Sequence, residues 1–361
     1  MKIIVLTPRY TIAGVPLAQV RFARALALRE HEVELVIGYV EPGNNLPELD
    51  NVKIRNLSKP SVKGMFLSIV KIFLKDKPDI IFVAEDHLTV MTLFAAIFSF
   101  SKTKISGSSR VTPFDTYSDI FLSKGWILKQ LMKVVMWRAN VLTCVSKDMV
   151  KQYAAVFKKS PHICIYNIVN DSASRKKMDE PIDHPWLNQK NCPVIVAAGK
   201  LATWKGFENL IRIFPSVLKE KEIKLLILGD GPLREKLERQ IQSLNLFNNI
   251  ELLGYKDNPY PYYALADIFV LSSLVEGLPN VLVEAMMCGC TPVSTDCPTG
   301  PREVLNNGEY GYLVPVGDDK IFIESILNAV NFPIAHEKLQ EAIKPFKETI
   351  VIDHHFSSLG Y

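Results

Sequence analysis

The chain has 361 residues, of which 48% are hydrophobic and 22% charged, and it carries a net charge of +4. This balance excludes a disordered chain and leaves enough core for two domains of ordinary size. The six cysteines (Cys144, Cys164, Cys192, Cys288, Cys290 and Cys297) show no CxxC pairing. They read as reduced thiols of a cytosolic protein, which excludes a disulfide framework and a zinc site.

The net charge hides an asymmetry. Residues 1–170 carry 23 Lys+Arg against 13 Asp+Glu, a balance of +10, and residues 171–361 carry 19 against 25, a balance of −6. A basic half points to an anionic partner, either nucleic acid or a membrane surface. No zinc-finger spacing, aromatic RNA-binding motif or arginine-rich tract accompanies it, so nucleic acid ranks second.

In chain order, "KIIVLTP" (2–8) reads as a first strand and not as a signal peptide. A turn with Gly14 follows, then a helical pattern over 17–30 and strands at 32–40, 79–84, 104–109 and 141–146. This βα alternation predicts a parallel sheet covered by helices on both faces. The polar segment 171–192 reads as a linker. A second series follows it, with strands at 193–199, 224–231, 250–255, 267–273 and 291–295 and helices near 206–219, 232–244 and 279–288. The sequence therefore predicts an α/β protein of two doubly wound, Rossmann-like domains facing across a cleft, 1–170 and 193–361. Ligands bind such sheets at the carboxyl ends of the strands.

The apolar run 88–101 spans 14 residues, short of the roughly 20 that cross a bilayer, and reads as a buried helix. The stretch "KGWILKQLMKVVMWR" (124–138) alternates Lys124, Lys129, Lys133 and Arg138 with Trp and aliphatic residues. It fits either a helix lying on an anionic bilayer or a core helix with a basic edge.

Three stretches carry chemistry. "GKLATWKGFENLI" (199–211) sets Lys200 and Lys205 beside a helix start opened by Gly206, which suits a diphosphate. "LGDGPLREKLE" (228–238) is a strand, a glycine turn and a helix with Pro232 near its start. "EGLPNVLVEAM" (276–286) puts Glu276 in the loop leaving a buried strand and Glu284 on the next helix. That geometry fits two acceptors serving different parts of one long ligand. Taken singly, each stretch also fits an ordinary βα turn.

Together and in order, these segments resemble the retaining glycosyltransferases of the GT-B fold, the large family that includes glycogen and sucrose synthases and many bacterial polysaccharide sugar transferases. "EGLPNVLVEAMMCGCTPVSTD" is similar to that family's paired-glutamate motif, and "GKLATWKGFENLI" to its diphosphate-binding segment. "IELLGY" and "GPREVLNNGEYGYLVPVGD" resemble further family segments. The likeness is strong over 193–320 and lies in pattern only over 1–170.

The resemblance implies that Lys200 and Lys205 neutralise the donor diphosphate, with lysine at 200 where the family usually has arginine. Glu276 would contact the transferred sugar and Glu284 the ribose. Gly277, Leu278 and Asn280 would offer backbone groups near sugar and phosphate, Gly254 and Tyr255 would border the nucleobase, and Gly14 would approach the donor from the first domain. Where many members carry a histidine after a central strand of that domain, this chain has Ser109 and Arg110, with His87 as the alternative cleft residue. The implied reaction is metal-independent transfer from a nucleotide-diphosphate sugar, UDP before GDP, to a glycan or lipid-linked glycan, with no metal site and no cofactor. The implied location is cytoplasmic, at the inner face of the cell membrane. A UDP-sugar 2-epimerase and a non-catalytic sugar-nucleotide binder remain open. The closing segment "FKETIVIDHHFSSLGY" stops where the family's crossover helix would form, which predicts looser domain closure.

Overall fold

A computed structural model describes the chain except for residues 12, 13, 47 and 159. It divides into two compact units: Met1–Ile168 with Lys347–Tyr361, and Val169–Phe346.

The first unit is built on seven parallel strands: β1 (Lys2–Tyr10), β2 (Glu32–Val40), β3 (Val52–Asn56), β4 (Ile80–Ala84), β5 (Lys104–Ser109), β6 (Val141–Cys144) and β7 (His162–Cys164). Their order is β3-β2-β1-β4-β5-β6-β7, so the chain winds outward in both directions from the β1/β4 junction. Strands buried on both faces need near-continuous apolar runs, and Ile3 to Leu6 of β1 and all five residues of β4 supply them. The second unit repeats the plan with β8 (Val194–Ala198), β9 (Lys224–Leu228), β10 (Ile250–Gly254), β11 (Ile268–Leu271), β12 (Thr291–Thr295) and β13 (Tyr312–Val314). Their order is β10-β9-β8-β11-β12-β13, with the junction at β8/β11. The α/β, doubly wound class predicted from sequence is the architecture found.

Three expectations change. The helix read at 17–30 spans Gly14–Ala27. The segment 171–192 is part of the second unit and is packed, not a linker. Asp171 caps the helix Ser172–Lys176 by accepting from the Ser174 amide at 2.8 Å, and Tyr260 donates to Ser174 Oγ at 3.0 Å. Its polar composition reflects caps and local hydrogen bonds rather than solvation.

The carboxyl-terminal residues belong to the first unit, not the second. They do form a helix, Glu348–Ser358, which buries Val351, Ile352, His355 and Phe356. The His355 ring packs 4.9 Å from Phe22 and 5.4 Å from Phe82. Arg29 bridges to Asp353 at 2.5 Å, and Lys104 donates to the Leu359 carbonyl at 2.6 Å.

Burial holds the His355 imidazole down at about 3, and that of His162 at about 4. Both folded values lie below the unfolded value near 6.5, so the neutral rings stabilise the fold fully above about pH 6.5. That stability is lost as pH falls from about 6.5 to the folded values near 4 for His162 and 3 for His355, by up to about 1.4 kcal/mol per pH unit for each ring. An acid titration followed by circular dichroism is expected to show this limb, and His355→Leu to flatten it.

Candidate functional site

The candidate site lies at the β8/β11 junction of the second unit, where the winding direction reverses and a doubly wound sheet leaves room beyond its strand ends. Glycines make the approach possible. Gly206 adopts a left-handed conformation (φ 68°), and a Cβ there would run into the Ser272 carbonyl at the end of β11. Only glycine lets the 199–206 loop sit this close. Ser272 Oγ donates to the Lys205 carbonyl at 2.8 Å and locks the contact.

This seating aims Lys205 at Glu276, and Lys205 Nζ donates to Glu276 Oε1 at 2.5 Å. The two side chains are only 16% and 11% exposed, so the pair is partly desolvated and removing either partner costs more than in a surface ion pair. Ser273 Oγ donates to the same Oε1 at 2.6 Å. Oε2 receives no donor among the described residues. The protein therefore fixes Glu276 through one oxygen only.

The loop carrying Glu276 is held from behind. Its amide donates to the Pro298 carbonyl at 3.4 Å, and Thr299 Oγ1 donates to its carbonyl. Gly300 (φ 94°) permits this, because a Cβ there would meet Pro279 Cδ. Cys297, close by, is inert: burial and then the Glu276 charge push its thiol up to about 12.

The other expected residues are placed less uniformly. Lys200 is exposed and outside the ion pair. The Asn280 amide donates to the Leu278 carbonyl at 2.9 Å, whereas those of Gly277 and Leu278 have no acceptor among the described residues. Glu284, on the helix Asn280–Met287, is 6% exposed. Its charge adds to burial in raising the Tyr263 hydroxyl and, with Cys290, the Cys288 thiol. Gly254 ends β10 with φ 73°, next to the half-exposed Tyr255.

In the first unit Gly14 starts the helix Gly14–Ala27, and His87 lies exposed in the first turn of the helix Asp86–Phe98. Ser109 is buried and donates to Asp86 Oδ1 at 2.5 Å. Arg110 donates to Asn167, and burial lowers its guanidinium to about 10, still charged at neutral pH. The serines at 272 and 273 and Thr299 were not singled out from sequence. Their only signal is a run of hydroxyl residues beside the glutamate and the glycines.

Residues 179–346 match the family described as glycosyl transferases group 1. The match falls within the second unit, and the two Rossmann-like units have the GT-B fold. It is 35% identical over 246 residues to an uncharacterised glycosyltransferase of Methanocaldococcus jannaschii, an alignment covering 66% of this chain and 60% of that one. It is 29% identical over 327 residues, 87% of this chain and 85% of the other, to a Campylobacter jejuni enzyme. That enzyme is N-acetylgalactosamine-N,N'-diacetylbacillosaminyl-diphospho-undecaprenol 4-alpha-N-acetylgalactosaminyltransferase. Among solved structures, HepE of Anabaena in complex with UDP-glucose superimposes with a TM-score of 0.77 at 17% identity, covering all of both chains.

Proposed function

We propose that the chain is a retaining glycosyltransferase that moves a hexose or N-acetylhexosamine from a UDP-sugar to a hydroxyl of a glycan or lipid-linked glycan. The observation that carries this reading is the Lys205–Glu276–Ser273 cluster at the β8/β11 junction. Departure of a nucleoside diphosphate leaves negative charge on its phosphate oxygens. Lys205, Lys200 and the first free amides of the helix Phe207–Glu220 supply positive potential there without proton transfer. Lys205 keeps two N–H donors beyond the one given to Glu276. Glu276 Oε2 would accept a hydrogen bond from a hydroxyl of the transferred sugar. Nucleotide binding in HepE and the lipid-linked substrate in the Campylobacter enzyme's name support the same donor and acceptor classes.

The test is UDP release from UDP-glucose, UDP-N-acetylglucosamine and UDP-N-acetylgalactosamine, with farnesyl-diphospho-N-acetylgalactosamine as acceptor probe. Sugar transfer with the anomeric configuration kept supports the reading. An epimerised donor without transfer would identify an epimerase instead.

Contact with an anionic membrane is the second part of the proposal. No helix among the described residues is long and apolar enough to cross a bilayer. The first unit exposes Phe98, Phe100, Phe121, Leu122, Val134 and Trp137, each more than 60% accessible, together with Lys124 and Lys133. Two of the four basic residues expected on this face serve the fold. Lys129 is buried against Asp119 at 2.5 Å, and Arg138 donates to the Ser101 and Thr103 carbonyls. The membrane-facing charge is therefore smaller than the sequence suggested, and the apolar side chains carry more of the contact. Co-sedimentation is expected to be stronger with phosphatidylglycerol vesicles than with phosphatidylcholine vesicles, and Phe121→Ser/Trp137→Ser to weaken it about tenfold or more. Equal binding to both vesicle types would contradict the electrostatic part.

A further inference from the structure

Glu85 follows β4 directly, at the β1/β4 junction of the first sheet, the same topological position that Lys205 and Glu276 flank in the second. Its backbone has φ 74° and ψ 137°, a left-handed, extended conformation that glycine adopts freely and a side chain does not. Such a residue persists only where its surroundings over-determine it. Here the Glu85 amide donates to the Ser108 carbonyl at 2.9 Å, and its carbonyl accepts from the Thr89 amide at 2.9 Å and from Thr89 Oγ1 at 3.0 Å. The next residue, Asp86, is clamped by Ser109 Oγ and the Tyr153 hydroxyl, both at 2.5 Å. Gly107 of β5 lets the helix Asp86–Phe98 press close, since a Cβ there would meet Thr89 Cγ2.

All these bonds hold the main chain and its neighbour, and none holds the Glu85 carboxylate. Among the described residues no group donates a hydrogen bond to it. It is half-buried; burial and the neighbouring Asp86 charge raise it above the ordinary carboxylate value, and the Arg9 and Arg110 charges offset only part of this. A glycine would satisfy the backbone at lower cost, so the side chain must account for the glutamate.

We propose that Glu85 is the carboxylate through which the first unit holds a sugar hydroxyl. A carboxylate accepts hydrogen bonds and repels phosphate, so it selects the neutral, hydroxyl-bearing part of a ligand. The hydroxyl can come from the acceptor sugar or from the donor sugar. The inference rests on the glycosyltransferase reading above.

Three variants test it. At an ordinary position alanine is more stable than glycine. Here Glu85→Gly is expected to melt about 2–6 °C above Glu85→Ala, because only glycine relieves the backbone. The reverse order overturns the premise. Glu85→Gln keeps the shape and weakens the acceptor. With unchanged UDP affinity, a tenfold or greater fall in kcat/KM for farnesyl-diphospho-N-acetylgalactosamine assigns the acceptor sugar. The same fall in acceptor-free UDP-sugar hydrolysis assigns the donor sugar. Wild-type values in both overturn the proposal. If the wild-type protein turns over no nucleotide sugar, the transferase reading fails, and saturation-transfer NMR with N-acetylgalactosamine decides Glu85 separately. A signal lost in Glu85→Gln supports it, and one retained refutes it.

Discussion

Glu276→Gln is expected to lower turnover of the nucleotide sugar by about 10²–10³-fold while UDP binds as tightly as before or more tightly. Two effects of opposite sign follow from one ion pair. Glu276 Oε1 is engaged by Lys205 Nζ and Ser273 Oγ, which fixes the side chain, and in the proposed reaction Oε2 accepts from the sugar. The amide keeps the size but loses the charge, so a hydroxyl that strengthens its hydrogen bond in the transition state finds a weaker acceptor. The same change frees Lys205 from its partner and leaves its full charge to the diphosphate. Steady-state kinetics with calorimetric UDP binding separates the two effects. Parallel loss of UDP affinity would mean that Glu276 supports the fold of the loop and not the sugar.

Lys205→Ala is expected to act on both quantities in the same direction. Removing a positioned cation from a partly desolvated site weakens UDP binding and costs about 10²–10³-fold in turnover. It also leaves the 11%-exposed Glu276 side chain without its cation, so some loss of melting temperature is expected as well. Because the residues touch, their effects should not add. Lys205→Ala in the Glu276→Gln background is expected to cost much less than the sum of the single changes. Strict additivity would show that the contact at 2.5 Å has no role in the reaction. Lys200, exposed and outside the pair, should cost less when replaced by alanine.

The parallel sheets were legible because their central strands are apolar runs bounded by polar turns, as in "DIIFVA" and "DIFVLSS". The short strands β3, β7 and β13 were not. Val52–Asn56 carries Lys53 and Arg55, and His162–Cys164 and Tyr312–Val314 are three residues each, too short for a period to appear. All three lie at sheet edges, where charge and brevity limit further pairing. The docking of Glu348–Ser358 onto the first unit depends on a buried, neutral His355 between Phe22 and Phe82, and histidine gives no apolar signal in sequence.

The candidate residues of the second unit stood out in sequence because lysines, glycines and helix starts are conspicuous residue types, and the structure brings Lys205 and Glu276 together. Ser273 went unnoticed because its role comes from a 2.6 Å approach to Glu276, which no spacing reveals. Glu85 was hidden for a different reason. Its left-handed φ belongs to the packing of β4, β5 and the following helix, and glutamate has no preference that would announce it.

The central claim is that the β8/β11 junction holds a nucleotide-diphosphate sugar through Lys205. The most direct measurement is a melting-temperature screen of wild-type protein and Lys205→Ala against UDP-sugars and GDP-sugars. A ligand that binds only the folded state at a hundred times its Kd stabilises by about 2.7 kcal/mol. The account predicts a clear upward shift for the wild type with at least one UDP-sugar, largely lost in Lys205→Ala. An equal shift in both proteins, or none with any nucleotide sugar, would contradict it.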